Sequence, residues 1–453
     1  MARRLSAVAS RINGRLAGAD RDFGVVGTDT RTLPAGSLFV AIEGERFDGN
    51  AYVAAAAQCG AVGAMVSRLQ DVALPQIEVA DTRRAFGAMA KAWRENFDIP
   101  VIAVTGSAGK TTVKELTASI LGVSRKLCVT EGNLNNDIGV PLSLMRLDES
   151  DQLMVVELGA NHAGEIAGLG DLVEPTIAVI TNAGAAHLEG FGSIAGVAAA
   201  KGELIDCLPD DGTAVLNADD EFFEQWRERA GTRRILSFGF ADAADYRLVG
   251  EILIDSRGSG FSVATPDGQR IEVRLALFGR ANIANALAAI AAASAAGASA
   301  DEIRKGLALA RPVKGRMCRL SGKGGATVID DSYNANPSAA KAALDYLAAC
   351  QGKRIFVLGD MLELGAAERD LHREVGSYAI GRCDQLVAIG DLAAEAAKAF
   401  GSPGSSYADI DAAAAAVVAR LAPDVTVLVK ASRSVGLERL VQALAQAEGA
   451  KPC

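Results

Sequence analysis

A lysine and two threonines set where an apolar run meets a helix, with acids further along, are the residue types that handle a nucleoside triphosphate. Residues 101–116 read VIAVTGSAGKTTVKEL: an apolar run, a loop of Gly106, Ser107, Ala108 and Gly109, then Lys110, Thr111 and Thr112 opening a helix-forming stretch. In such a strand–loop–helix setting the loop amides and the helix N-terminus cradle phosphate oxygens, Lys110 neutralises the terminal phosphates, and the Thr111 hydroxyl is offered to Mg²⁺. The bland alternative is a Gly-rich turn with a solvated lysine. The loop is also shorter than the common GxxxxGK[ST], because position 104 is Val and the first glycine is Gly106.

Other residues offer chemistry with less specificity. Glu157 ends the apolar run of LMVVELGANHAGEI, where a carboxylate is costly unless it meets a cation, so it reads as a metal ligand or as a helix cap. His187, in TNAGAAHLEGFGS, is one of three histidines and reads as a metal ligand or a polar loop residue. Lys201, in SIAGVAAAKGELI, reads most simply as a lysine on the wet face of a helix. Asn133, Asn135 and Asn136 in EGNLNNDIGVPLSL present amides that bind an uncharged polar ligand or build Asx turns. DDSYNANPS places Asp330, Asp331, Asn334 and Asn336 just past a strand, where open α/β sheets hold ligands; Asp331 suits a ribose diol, and turn chemistry is the alternative.

Elements in alternation must position these groups. At 453 residues the chain exceeds one ordinary core, so two or three domains are expected. Short strand-like pieces and an Ala-rich helix suggest a small α/β domain over 1–98. VIAVTG, LMVVELGA, TIAVITNAG and TAVLNADD then alternate with helical segments, which predicts a central parallel-sheet domain over 99–311. Residues 246–277 break the alternation and predict a small antiparallel appendage. After a hinge near ARPVKGR, strands and helices alternate again, giving a Rossmann-like α/β domain over 312–453. The net charge of −9 argues against nucleic acid or anionic membrane as a partner, so a bound phosphate needs local donors and a metal ion. Seven scattered cysteines without a CxxC pair argue against a zinc cluster or a disulfide framework and point to a reducing cytoplasm. No run approaches a membrane span.

Taken in order, TGSAGKTT, ELGANHAGEI, AHLEGFGS with AKGE, NIANALAA, GRM, DDSYNANP, LGDMLELG and VLVKASRSVGLE resemble the Mur ligase family, from about Gly24 to Leu440. TDTRTLPAGSLFVAIEGERFDGN is similar to that family's uridine-nucleotide-binding domain. The compact loop is the form these ligases use. The resemblance implies an ATP-dependent peptide ligase of peptidoglycan precursor synthesis. It would phosphorylate the terminal carboxylate of UDP-N-acetylmuramoyl-tripeptide and let D-alanyl-D-alanine attack the acyl phosphate, in a monomer without nucleic-acid or membrane partners. By motif match, Thr111 and Glu157 hold one Mg²⁺, and His187 with a carbamylated Lys201 holds a second. Asn282 and Asn285 face adenine, Arg316 the γ-phosphate and Asp331 the ribose. Thr30, Arg31, Asn133, Asn135, Asn136, Asn334, Asn336, Lys430, Ser432 and Arg433 contact the substrates.

Three positions depart from the family pattern: Ala281 and Asn50 each stand where His is usual, and Ala431 replaces a glycine. Two rival classes share some of these features. A folate polyglutamylating ligase shares the ATP site but starts close to its phosphate loop, whereas about 98 residues precede it here. A P-loop switch or motor would show oligomerising or nucleic-acid surfaces that the sequence lacks.

Overall fold

Val101–Thr105 is apolar and β-branched almost throughout, and all five residues are buried, as a strand covered on both faces requires. It lies inside a nine-stranded sheet of the computed structural model, which describes residues 3–44, 47–255 and 258–446. Glu45 and Arg46 of the GERFDG segment lie outside the described residues.

Val101–Thr105 pairs in parallel with Leu153–Glu157 on one side and Ile177–Ile180 on the other. Leu127–Val129 closes one edge, while Thr213–Asn217 and Arg234–Gly239 continue the parallel sheet outward. The strands Tyr246–Asp255, Gly258–Ala264 and Arg270–Leu275 run on from it as an antiparallel edge, so the appendage is an extension of the central sheet rather than a sheet of its own. The helices Lys110–Leu121 and Arg280–Ala295 bury Val113, Leu116 and Ile120 with Ile283, Leu287 and Ile290 in one core.

A five-stranded sheet precedes this unit, with strands Val26–Gly27, Leu38–Val40, Gly63–Val66 and Gln76–Glu78 in parallel and Arg15–Ala17 antiparallel at its edge. The helix Thr82–Arg94 joins the two: Asp81 caps it through the amides of Arg83 and Arg84, and Phe86 and Met89 share a core with Leu144 and Leu169. Arg94 donates to the Val173 carbonyl at 3.0 Å, satisfying a carbonyl at the end of a neighbouring helix.

A six-stranded sheet follows residues 310–317. Thr327–Asp331, Val425–Lys430, Lys353–Gly359, Gln385–Ile389 and Ser405–Tyr407 are parallel, with Cys318–Ser321 antiparallel at one edge. Cys59, Cys128, Cys207, Cys350 and Cys383 are free thiols. Among the described residues no helix is long and apolar enough to cross a membrane.

Candidate active site

Three parallel strands of the nine-stranded sheet end side by side, and their C-terminal ends carry the phosphate loop, Glu157 and the Thr181–Asn182 turn. Gly109 precedes the helix at φ 84, and Gly106 sits at φ 145. Both are positions for glycine, since a Cβ at Gly106 would overlap Thr181 Oγ1 and one at Gly109 would overlap Asn285 Oδ1. Lys110 folds back so that Nζ donates to the Gly106 carbonyl at 2.7 Å. Burial pulls its ammonium below the usual lysine range, while the Glu157 carboxylate opposes that shift.

Asn182 braces the loop from the neighbouring strand end. Its carbonyl accepts from Ser107 N at 3.0 Å, its Oδ1 accepts from Ala108 N at 3.0 Å, and its Nδ2 donates to Ala108 O at 3.1 Å. Thr181 Oγ1 adds a bond to the same carbonyl at 2.6 Å. Two amides expected to face phosphate are therefore spent on shaping the loop. The first helical bond runs from Val113 N to Gly109 O, so the donors left at the helix N-terminus are those of Gly109, Lys110, Thr111 and Thr112.

Glu157 does not cap a helix. It is 2% exposed, with Oε2 accepting from Thr111 Oγ1 at 2.7 Å and Oε1 from Asn135 Nδ2 at 2.8 Å. A buried carboxylate met by a hydroxyl and an amide keeps oxygen lone pairs for a hard cation. Asn135 thus serves Glu157. Asn136 makes an Asx turn to Gly139 N at 2.9 Å, and Asn133 lines the same cavity from an exposed position.

His187 takes φ 52, and its Nδ1 lies 2.5 Å from Glu363 Oε2 of the third sheet unit, off the axis of a linear hydrogen bond. Burial lowers its pKa, with Glu363 opposing and the charges of Lys110 and Lys201 reinforcing. Lys201 is 1% exposed, so its wet-face reading is overturned: the helix Ile194–Asp206 is enclosed on that side as well. Its Nζ lies 5.1 Å from the Phe191 ring centroid and has no hydrogen-bond partner among the described residues. Desolvation, helped by the charge of Lys110, brings its pKa down to about 7.

From the third unit, Arg316 lies 4.3 Å over the Tyr333 ring while Arg433 donates to the Tyr333 hydroxyl at 2.9 Å. Arg316 Nε is buried without a hydrogen-bond partner, a donor shaped for an anion. Asp331 is held by Lys430 Nζ at 2.6 Å and by Met317 N at 3.2 Å. Lys430 also reaches the Asn334 carbonyl at 2.9 Å. Asn336 is the N-cap of Pro337–Ala348, accepting from Ala339 N, which is the turn chemistry weighed for it. Ser432 Oγ accepts from Leu362 N at 2.9 Å.

One cavity of about 1960 Å³ gathers Ser107 to Thr112, the three asparagines at 133–136, Glu157, His187, Asn282, Asn285, Arg316, Asp331, Asn334, Asn336, Lys430, Ser432 and Arg433. Asn282 Nδ2 is turned to the Phe278 carbonyl and Asn285 Nδ2 to Asn282 Oδ1, leaving Asn285 Oδ1 against the loop glycine. Gly106 and Lys201 sit behind the cavity wall. Thr30 and Arg31 lie apart in the first unit, where the Arg31 side chain is 86% exposed and paired with Asp29. Asn182, Tyr333 and Glu363 escaped the sequence reading, although Asn182 follows an apolar strand as Glu157 ends one. Among the described residues no group of three or more His, Cys, Asp or Glu side chains is arranged to hold a metal.

A phosphate loop braced by a neighbouring strand end, opposed across one cavity by arginines from a second parallel sheet, defines a nucleotide-using ligase scaffold. The chain belongs to the Mur ligase family: residues 104–293 match the Mur ligase middle domain, and 315–433 the Mur ligase, glutamate ligase domain. It is 43% identical to the UDP-N-acetylmuramoyl-tripeptide--D-alanyl-D-alanine ligase of Escherichia coli K12, over 97% of this chain and 98% of that protein. A crystal structure of MurF from Acinetobacter baumannii superposes with a TM-score of 0.90 at 34% identity, covering 96% of this chain and 97% of that one. MurF of Thermotoga maritima in complex with ADP gives a TM-score of 0.82 at 27% identity, covering 92% and 96%.

Proposed function

We propose that the chain joins D-alanyl-D-alanine to UDP-N-acetylmuramoyl-tripeptide, splitting ATP to ADP and phosphate, as an amide ligase of peptidoglycan precursor synthesis. The observation that carries this reading is that the Lys110 loop, buried Glu157 and the unpartnered Arg316 Nε face one cavity, in a chain similar along its length to ligases of that name. A triphosphate and a carboxylate repel each other, so transfer of the γ-phosphoryl group needs cations converging on both. Lys110 and the loop amides take the phosphates, and Arg316 approaches from the opposite wall. The acyl phosphate formed on the tripeptide is attacked by the dipeptide amine, which loses a proton as phosphate leaves and the amide forms. Water is excluded because the reacting groups sit between two units.

The donor set fits Mg²⁺. Thr111 Oγ1 and Glu157 would hold one ion, while His187 and a carbamylated Lys201 would hold a second. Bound there, the ions would supply charge neutralisation for the phosphoryl transfer. An ammonium cannot ligate a cation, and the buried, partnerless Lys201 with its pKa near 7 supports the carbamate. Asn282 and Asn285 face the base, and Asp331 meets the ribose with one oxygen while Lys430 holds the other. The remaining asparagines with Ser432 and Arg433 bound the peptide end. Residues 1–98, including Thr30 and Arg31, bind the uridine nucleotide; 99–311 carry out ATP chemistry; 312–453 complete the site. We place the reaction in the cytoplasm, on a monomer.

ADP release measured with each substrate withheld in turn tests this. ADP is expected only when tripeptide and dipeptide are both present, and rapid hydrolysis of ATP alone would favour a switch or motor instead. Lys110→Ala should abolish turnover with the fold intact.

A further inference from the structure

We propose that Glu363 is a positioning residue for His187, supplied by the third sheet unit, so that the second metal position is completed only when the two units meet. The inference rests on the reading of His187 as a metal ligand. Glu363 follows the strand Lys353–Gly359 of the six-stranded sheet, whereas His187 follows Ile177–Ile180 of the nine-stranded one. Their side chains line the same cavity and meet across it at 2.5 Å. The contact is closer than an ordinary N–H···O bond and is not aligned as one, so it is a close charge contact between the imidazole nitrogen and the carboxylate.

The backbone on both sides is committed to this contact. His187 at φ 52 and Glu363 at φ 64 both hold the left-handed conformation, which costs a non-glycine residue about 1–2 kcal/mol. Such strain persists where surrounding structure over-determines it, and it concentrates at functional sites. Gly365, also at φ 64, brings the loop against Glu189, since a Cβ there would sit 3.6 Å from Glu189 Cα. Two strained segments from different sheets therefore face each other over residues 187–189 and 363–365.

The chemistry of the pair follows from what each group can do. A carboxylate only accepts, so Glu363 fixes the imidazole proton on Nδ1 and leaves the Nε2 lone pair for a cation, the carboxylate–histidine–metal arrangement. The other groups whose charge acts on His187 are Lys110 and the unmodified Lys201, and as ammonium groups neither accepts that proton. Among the described residues of the nine-stranded unit, none hydrogen-bonds the ring. If the third unit swings away, His187 loses its tautomer and its direction together.

Nitrogen-15 imidazole NMR on the metal-free full chain reads the tautomer directly, and with three histidines the assignment follows from His162→Gln and His372→Gln. Wild type is expected to carry the proton on Nδ1. Glu363→Ala should move it toward Nε2, and Glu363→Gln, whose amide oxygen still accepts, should hold it partly. The dissociation constant for Mn²⁺, read by electron paramagnetic resonance with ADP present, should rise at least about 10-fold in Glu363→Ala. ADP affinity without divalent metal should stay unchanged. An Nε2–H tautomer in wild type, or an unaltered tautomer and Mn²⁺ affinity in Glu363→Ala, would overturn the inference. His187→Ala with wild-type Mn²⁺ affinity would instead remove His187 from the metal site, and the tautomer result would still judge its pairing with Glu363.

Discussion

Lys430 holds its ammonium 2.6 Å from the Asp331 carboxylate where the two side chains are only 4% and 13% exposed. Each was expected to meet a ligand; first they meet each other. Burial pushes the Asp331 carboxyl above the usual range, and the Lys430 charge is the largest force opposing that rise. Lys430→Met leaves an uncompensated buried carboxylate and should cost about 3–5 kcal/mol in denaturant unfolding. A raised folded pKa means the folded state holds the proton more tightly, so stability is lost as pH rises through that pKa. The deficit of Lys430→Met should be largest at neutral pH and shrink in acid. Asp331→Asn combined with Lys430→Met should recover most of it; a double variant as unstable as the single would argue against the pair as the cause.

Asn182 bonds both the amide and the carbonyl of Ala108, so the phosphate loop owes part of its shape to a residue of another strand. Asn182→Ala removes two hydrogen bonds and leaves the half-buried Ala108 amide unpaired, while Thr181 still holds the Ala108 carbonyl; at about 1–3 kcal/mol this predicts roughly 5- to 150-fold weaker binding of an ATP analogue. Asn182→Asp keeps an acceptor for Ala108 N but loses the donor and adds negative charge beside the phosphates, and it should bind more weakly still. Calorimetric titration checks both, and wild-type affinity in either variant would return Asn182 to a loop-filling role.

Groups at the ends of apolar runs were legible in the sequence. Glu157 and Asp331 each close an apolar strand; the cost of an acid there singled out Glu157, and the place of ligands at the strand ends of open sheets singled out Asp331. Lys201 was not legible. Its helix is Ala-rich, so side-chain pattern does not separate an inner from an outer face, and only the packing of Trp226 and its neighbours shows that the helix is covered. The asparagines divided by geometry: Asn136 and Asn336 took up the backbone amides that Asx and cap residues serve, while Asn135 found Glu157. The pairing of His187 with Glu363 depends on how two sheets meet, and no local pattern encodes that. Short edge strands such as Leu127–Val129 and Ser405–Tyr407 carry too few residues for a period to register.

Tyr333 keeps two arginines in place, with Arg316 4.3 Å over its ring and Arg433 on its hydroxyl. Both guanidiniums line the cavity from beyond residues 311–315, whereas Lys110 lies before them. Tyr333→Ala should loosen both arginines and raise the KM for ATP by about 5- to 30-fold, given roughly 1–2 kcal/mol for a partly desolvated cation–π contact. Tyr333→Phe retains the ring, so it should spare Arg316 and disturb mainly the Arg433 end, seen as a higher KM for dipeptide. Steady-state kinetics separate the two; equal effects of both variants on both constants would contradict the division.

Lys201 links stability, pH and CO₂. Its burial and the charge of Lys110 disfavour the ammonium, so the folded-state pKa is about 7 against an ordinary 10.5. Between those values the unfolded chain binds the extra proton, and stability must rise with pH by up to about 1.4 kcal/mol per unit. Below the lower value the lysine is charged in both states, so the full desolvation cost is present; above the upper value it is neutral in both, and no slope remains. Unfolding followed across that window in CO₂-free buffer should show the rise in wild type and a flatter profile in Lys201→Met. Carbamylation needs the neutral amine and occurs only in the folded chain, so bicarbonate should stabilise wild type and leave Lys201→Met unaffected. Lys201→Ala should lose turnover, and formate or acetate should restore part of it by occupying the space of the carbamate. An alanine variant with full activity, together with a wild-type melting profile indifferent to bicarbonate, would leave Lys201 as a buried lysine without a catalytic part.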